Sequence, residues 1–168
     1  MATGSSWSMP ALLPRYAAWM AEVAPTRVVC GAFEQGHMDH DATHLLVRKS
    51  FAGAVLEAPF YHTYLTRLPV VNRFADPSGE EVLDLTPDER AFKRRLARCY
   101  PSQRIAWNLF WANLDSCRRG CGRLDATERL RLATHTDFLS PNLPQPLADR
   151  VRSSPLWVRW EQAARAIL

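Results

Sequence analysis

Apolar residues recur at offsets of three and four over Leu12–Ala24, where Leu13, Tyr16, Ala17, Met20 and Val23 fall near one face, so a helix is predicted there. Pro25 cannot continue it, and the β-branched "TRVVC" that follows predicts a short buried strand. After Gly31 the chain turns polar. Leu45, Leu46 and Val47 then supply the apolar part of a second helix over Asp39–Ala52, with Asp39 or Asp41 as its N-cap and Gly53 as its stop. "AVLEAPFYHTY" predicts a strand running into a loop, and "LPVVNRF" and "EEVLDL" predict a hairpin around the turn-forming "DPSG". Thr86, Pro87 and Glu89 make a capping box, starting a helix that runs to about Cys99. Pro101 breaks it. "SQRIAWNLFWANL" predicts another apolar helix, with Ile105, Leu109 and Ala112 inward, and a final helix is expected from Pro155, carrying Trp157, Trp160 and Ile167. Strands alternating with helices, then a hairpin, then helices imply an α/β fold: a mostly parallel sheet flanked by helices, with an irregular helical C-terminal tail. Residues 1–10 are expected to be a disordered N-terminus, and 11–168 a single domain.

At 168 residues the chain has room for one domain with a real core. Hydrophobic residues at 47% and charged residues at 23% are ordinary for a globular protein. The formal charge of +4 is scattered, and its densest cluster is Lys93, Arg94 and Arg95, with Arg90 and Arg98 at helical spacings. That cluster reads as a solvated helix face; a nucleic-acid groove would want a longer basic stripe with interleaved aromatics. No apolar run approaches the roughly 20 residues that span a bilayer, and the N-terminus lacks the pattern of a secretory signal. Neither nucleic acid nor membrane is therefore expected as a partner, and the expected compartment is cytoplasmic. Cys30, Cys99, Cys117 and Cys121 form no C-x-x-C pairs, so free thiols are the default, with metal binding or pairing of Cys117 and Cys121 the alternative.

The stretch "EQGHMDHDATH", residues 34–44, holds three of the five histidines. It lies after a predicted strand and before a predicted helix, where open α/β sheets bind ligands. His40 and His44 are four residues apart and would share a helix face, and His37 would lie just before that helix. Three imidazoles could crowd one volume beside a helix N-terminus, which favours an anion or a developing oxyanion. Zinc takes such ligands tetrahedrally. A capped, hydrated loop has the same composition, and local spacing does not choose between the two. Asp41 stands where H-E-x-x-H has its glutamate, so this is not a zincin motif.

"AFEQGHMDHDATHLL" resembles the second signature of the PIG-L/LmbE-like deacetylases, a G-H-x-D-H segment entering a helix, with Phe33, Glu34 and Gly36 ahead of it. "APFYHTY" and "LTPDERAFKRRLARCYPSQ" resemble one bacterial branch of that family. The similarity spans roughly residues 12–105, is specific around 33–46, and is weak after about 112. It implies a Rossmann-like α/β layer and a zinc-dependent hydrolase that removes the acetyl group from an N-acetylated amino-sugar conjugate. His40 would be a zinc ligand. His37 would be the protonated partner that stabilises the tetrahedral oxyanion. Asp39 would orient a neighbouring imidazole. Glu34, His44 and His62 match residues of this branch as supporting or substrate-binding positions, with a structural role the alternative for each.

The family's other signature, an early H-P-D-D-E type segment carrying two zinc ligands and the general base, has no counterpart here. "TPDE" at 86–89 lacks the histidine, and His135 and Asp137 in "THTDF" stand in the wrong order. The expectation is an incomplete LmbE-like domain whose zinc site is partial and which is inactive alone: a truncated reading frame, a degenerate copy, or one half of a split enzyme completed in trans by a homo-oligomer or a complementing N-terminal fragment. Such a chain would expose a sheet edge and apolar surface. The alternative of another class is a non-catalytic sugar- or protein-binding module using Trp107 and Trp111, with Trp111 and Leu114 equally placed to be core.

Overall fold

A computed structural model of the chain describes residues 8–35, 37–59, 61–62, 70–100, 110–111, 113–114, 117 and 126–168. Its elements are α1 (Met9–Val23), β1 (Arg27–Gly31), α2 (Met38–Ser50), β2 (Ala54–Ala58), β3 (Tyr61–His62), β4 (Val70–Val71), β5 (Glu81–Asp84), α3 (Pro87–Arg98), β6 (Thr127–Leu132), α4 (Leu147–Arg152) and α5 (Pro155–Arg165). The first helix begins three residues before Leu12, because Met9 is fully buried and seats the first turn in the core. Order therefore reaches into the span expected to be disordered. Ala24 ends α1 in the left-handed region at φ 47°, its N–H donating to Met20 O at 2.9 Å, and Pro25 follows.

The fold is α/β, with an open four-stranded sheet in the order β1-β2-β6-β5. β1 and β2 are parallel, with Val29 opposite Leu56. β6 runs antiparallel to both its neighbours, with Glu57 opposite Arg131 and Val82 opposite Arg129. The sheet is thus mixed, not mostly parallel. The expected hairpin around "DPSG" does not form either. Its turn closes locally, with Asp76 Oδ1 accepting from Ser78 N at 3.0 Å and Oγ at 2.7 Å, but β4 pairs with β3 and β5 pairs with β6. Long-range pairing wins because β6 brings Arg129 to Glu80 and Arg131 to Glu57.

Two apolar clusters share α2. Leu45 and Leu46 join Met9, Phe33, Trp157 and Trp160 in one, and Val47 joins Met20, Cys30 and Val55 in the other. α5 begins at Pro155 as predicted, capped by Ser154 Oγ accepting from Leu156 N at 3.2 Å. Both its tryptophans are buried, and Trp160 Nε1 donates to Phe138 O at 2.9 Å. The capping box at Thr86 and Glu89 forms as read, and α3 ends at Arg98. Gly53 has a different task from the one expected. α2 stops at Phe51, which is extended, and a side chain at Gly53 would require the Phe51 ring to shift.

Along β1, Val28 and Cys30 face α1 and α2, so Val29 points the other way and is 56% exposed. Leu132, cross-strand partner of Leu56, is 55% exposed. Trp111 is also exposed and meets Phe110 edge-on, so it is not core, while Leu114 is half-buried. Trp107 and Cys121 lie outside the described residues. Cys99 and Cys117 are exposed free thiols, and burial pushes the Cys30 thiol up to about 12.

Candidate functional site

The polar stretch leaves β1 through Ala32 and Phe33, both buried. The Phe33 ring stacks on His135 at 5.2 Å and meets Phe138 edge-on at 5.0 Å. Gln35 then turns the chain at φ 54°. Three separate contacts hold this corner. Asp41 Oδ1 accepts from Gln35 N at 3.0 Å, Glu34 Oε1 accepts from Ala75 N at 2.8 Å, and Asn142 grips both sides of it. Asn142 N donates to Gln35 Oε1 at 3.0 Å, and its Nδ2 donates to Phe33 O at 3.2 Å.

The corner delivers His37 as the N-cap of α2. Neither Asp39 nor Asp41 takes that place. His37 Nδ1 accepts from Asp39 N at 3.3 Å, so an imidazole acts as the capping acceptor while the aspartates occupy the first turn. His40 follows one turn on. The two rings lie 4.8 Å apart, tilted by 30°, and both residues are half-buried. The Asp39 carboxylate stands 4.0 Å from His37 Nδ1. Burial first, and the neighbouring His37 second, hold the His40 pKa below its ordinary value, with Asp39 opposing. His40 is therefore neutral near pH 7, the form that carries a lone pair for a metal.

His44 does not join this pair. It is fully buried, with Nδ1 2.8 Å from Gly31 O, 3.5 Å from Cys30 Sγ and 3.6 Å from Glu57 Oε2. Its ring ties α2 to the end of β1, a structural task. Burial holds its pKa low, against the bond to Gly31 and the charge of Glu57. Glu34 is likewise engaged in the fold, and burial raises its carboxyl to about 7. Gly36 and the side chain of His62 lie outside the described residues. Two imidazoles do not make a tetrahedral zinc cage, and among the described residues no group of three histidine, cysteine, aspartate or glutamate side chains is placed to hold a metal ion. The described residues do not fit a complete zinc site.

A second constellation escaped the sequence reading. Glu57 on β2, 2% exposed, receives Arg131 Nε from β6. Arg131 also donates from Nη1 to Asp76 O at 2.6 Å, lies 4.1 Å over the Phe74 ring, and stands 3.9 Å from Glu34. Glu57, Arg131, His135, Asp137 and Asn142 line an open cleft of about 730 Å³. Two signals were available: a glutamate inside the apolar "AVLEA", and the charged–apolar alternation of "TERLRL".

Because the Asn142 side chain satisfies Phe33 O from the far side of the corner, Asn142→Ala is expected to destabilise this loop by about 1–3 kcal/mol. Faster amide hydrogen exchange at Gln35 would register it; unchanged protection there would show that the corner stands without Asn142.

No protein-family model, no curated protein and no solved structure matches this chain.

Proposed function

We propose that this chain derives from a zinc-dependent deacetylase of N-acetylated amino-sugar conjugates and carries one part of that enzyme's site on a Rossmann-like layer. The observation that carries the reading is the close His37–His40 pair, set at the start of α2 just past the C-terminal end of a parallel strand. His40, held neutral, offers a ligand lone pair. His37, whose Nδ1 accepts at the helix cap, has Nε2 as the nitrogen that would face an oxyanion. The remaining ligands and the general base come from outside the described residues, and the chain by itself is not assigned a hydrolytic step.

Zinc titration of the purified chain tests this. The wild type binds zinc weakly, releases no acetate from N-acetylglucosamine conjugates alone, and loses zinc affinity in His40→Ala by at least the roughly 10–100-fold that loss of a mere supporting residue costs. Zinc affinity untouched in both His37→Ala and His40→Ala would remove the basis of the reading.

The cleft lined by Glu57, Arg131, His135 and Asn142 favours a second reading, a non-catalytic sugar-binding module. Sugar binding that survives chelation and both histidine substitutions would select it.

A further inference from the structure

α3 is a helix without a core. None of its residues is buried. It is held to the sheet along one side, where Lys93 Nζ pairs with Glu128 at 2.7 Å and donates to Thr127 O at 3.1 Å. Elsewhere it presents Phe92 and Leu96, which are 53% and 48% exposed, and Tyr100, 62% exposed, follows just past its end. Phe92 and Leu96 are spaced four apart and so share one face. The helix closes behind them in a turn, with Cys99 N donating to Leu96 O at 2.9 Å and Tyr100 N to Ala97 O at 3.3 Å. Charge is divided along the same helix. Its two carboxylates, Asp88 and Glu89, lie in the first turn, and Glu89 is taken up by the Thr86 cap. Beyond them come Arg90, Lys93, Arg94, Arg95 and Arg98, with no acid among them. Arg95 and Arg98 are exposed, and the Arg95 guanidinium lies 5.7 Å over the Phe92 ring, at the border of the apolar face.

We propose that the last two turns of α3 and the turn that follows dock on an anionic phospholipid surface, with Phe92, Leu96 and Tyr100 entering the headgroup boundary and Arg95 beside them meeting the lipid charge. Phe92 and Leu96 on one face, bordered by Arg95, with Arg94 and Arg98 on the opposite, polar face of a helix of low overall hydropathy, make the pattern of an interfacial helix. Three side chains fall well short of the roughly 800 Å² per partner that a stable protein interface buries, whereas a lipid boundary accepts a shallow ridge. This contact is peripheral and needs no spanning segment, and no helix among the described residues is long and apolar enough to cross a membrane.

Co-sedimentation with phosphatidylcholine vesicles, with and without phosphatidylserine, decides it. The full chain is expected on the phosphatidylserine vesicles only, and high salt releases it. Leu96→Ser and Phe92→Ser each lower the partition by about tenfold or more. Arg95→Gln lowers it by roughly fivefold, and Arg98→Gln, on the far side of the helix, by less. All four side chains are exposed, and circular dichroism confirms that each variant keeps its fold. Equal binding to neutral vesicles, wild-type partition of Leu96→Ser, or a dimer in light scattering that Leu96→Ser dissolves would each overturn the proposal, the last by giving the apolar face to a second copy of the chain.

Discussion

Replacing Arg131 with methionine is expected to lower the free energy of unfolding by about 3–5 kcal/mol, the usual cost of stripping one partner from a buried ion pair. The side chains of Arg131 and Glu57 are only 12% and 3% exposed, so the pair is largely withdrawn from water even though it borders the cleft. Methionine keeps most of the aliphatic packing and removes only the charge and the donors. Glu57 is then left as a buried carboxylate facing a neutral His44, and Glu34 loses its cationic neighbour. Asp76 O loses the Arg131 donor as well. Against a total of about 5–15 kcal/mol for a domain, this leaves a barely folded chain. Adding Glu57→Gln to Arg131→Met should recover part of the loss, because no uncompensated charge remains. Urea unfolding followed through Trp157 and Trp160, both buried, gives the readout. A midpoint equal to wild type would mean that the pair contributes nothing.

The second large effect is a loss of stability as pH rises. Burial raises the Glu34 carboxyl to about 7 from an ordinary 4.5, and Asp41 to about 8 from 3.8. In each case the folded pKa lies above the unfolded one, so between the two values the folded chain holds a proton that the unfolded chain has released. That stabilisation is full below the unfolded pKa and is gone above the folded one. For Glu34 the window runs from about 4.5 to about 7, and at roughly 1.4 kcal/mol per pH unit the loss reaches about 3 kcal/mol. The histidines act in the opposite sense. Burial depresses His40, His44 and His135 below 6.5, so their contribution is present above 6.5 and fades as pH falls toward their folded values. Comparing wild type with Glu34→Gln cancels the histidines, which both proteins share. The amide introduced by that substitution still offers an oxygen to Ala75 N but does not titrate. The variant should gain on wild type steadily between pH 4.5 and 7. Parallel pH profiles for the two proteins would refute the assignment.

What the sequence revealed and what it hid divide along the range of the interactions. The capping box at Thr86, the start of α5 at Pro155 and the run of β1 rest on neighbours in the chain, and they were legible. So was the closeness of His37 and His40, since both sit at one helix start. The identity of the cap was not, because the rule for side-chain oxygens gave no hint that the His37 ring would accept instead. The fate of His44 was hidden for a different reason. Its four-residue spacing from His40 suggested a shared face, but Gly31 O and Glu57, on two different strands, draw its ring into the interior. β6 was missed altogether, and with it the antiparallel half of the sheet. Its partners Glu57 and Glu80 lie 74 and 49 residues away from Arg131 and Arg129, beyond any local pattern. The turn at "DPSG" was real, yet turn chemistry fixes only where the chain reverses, not which strands meet.

The position of β6 between β2 and β5 carries a consequence for synthesis. About 70 residues separate the end of β2 at Ala58 from Thr127, where β6 begins. At roughly 5–20 residues per second, a ribosome needs ~4–14 s to make them. Throughout that interval β2 has its parallel neighbour but not its antiparallel one, and Glu57 waits without Arg131. The nascent chain therefore passes through a stage in which a half-built sheet and a lone carboxylate are open to chaperones, proteases and other nascent copies, and slowing translation upstream of Thr127 would lengthen it.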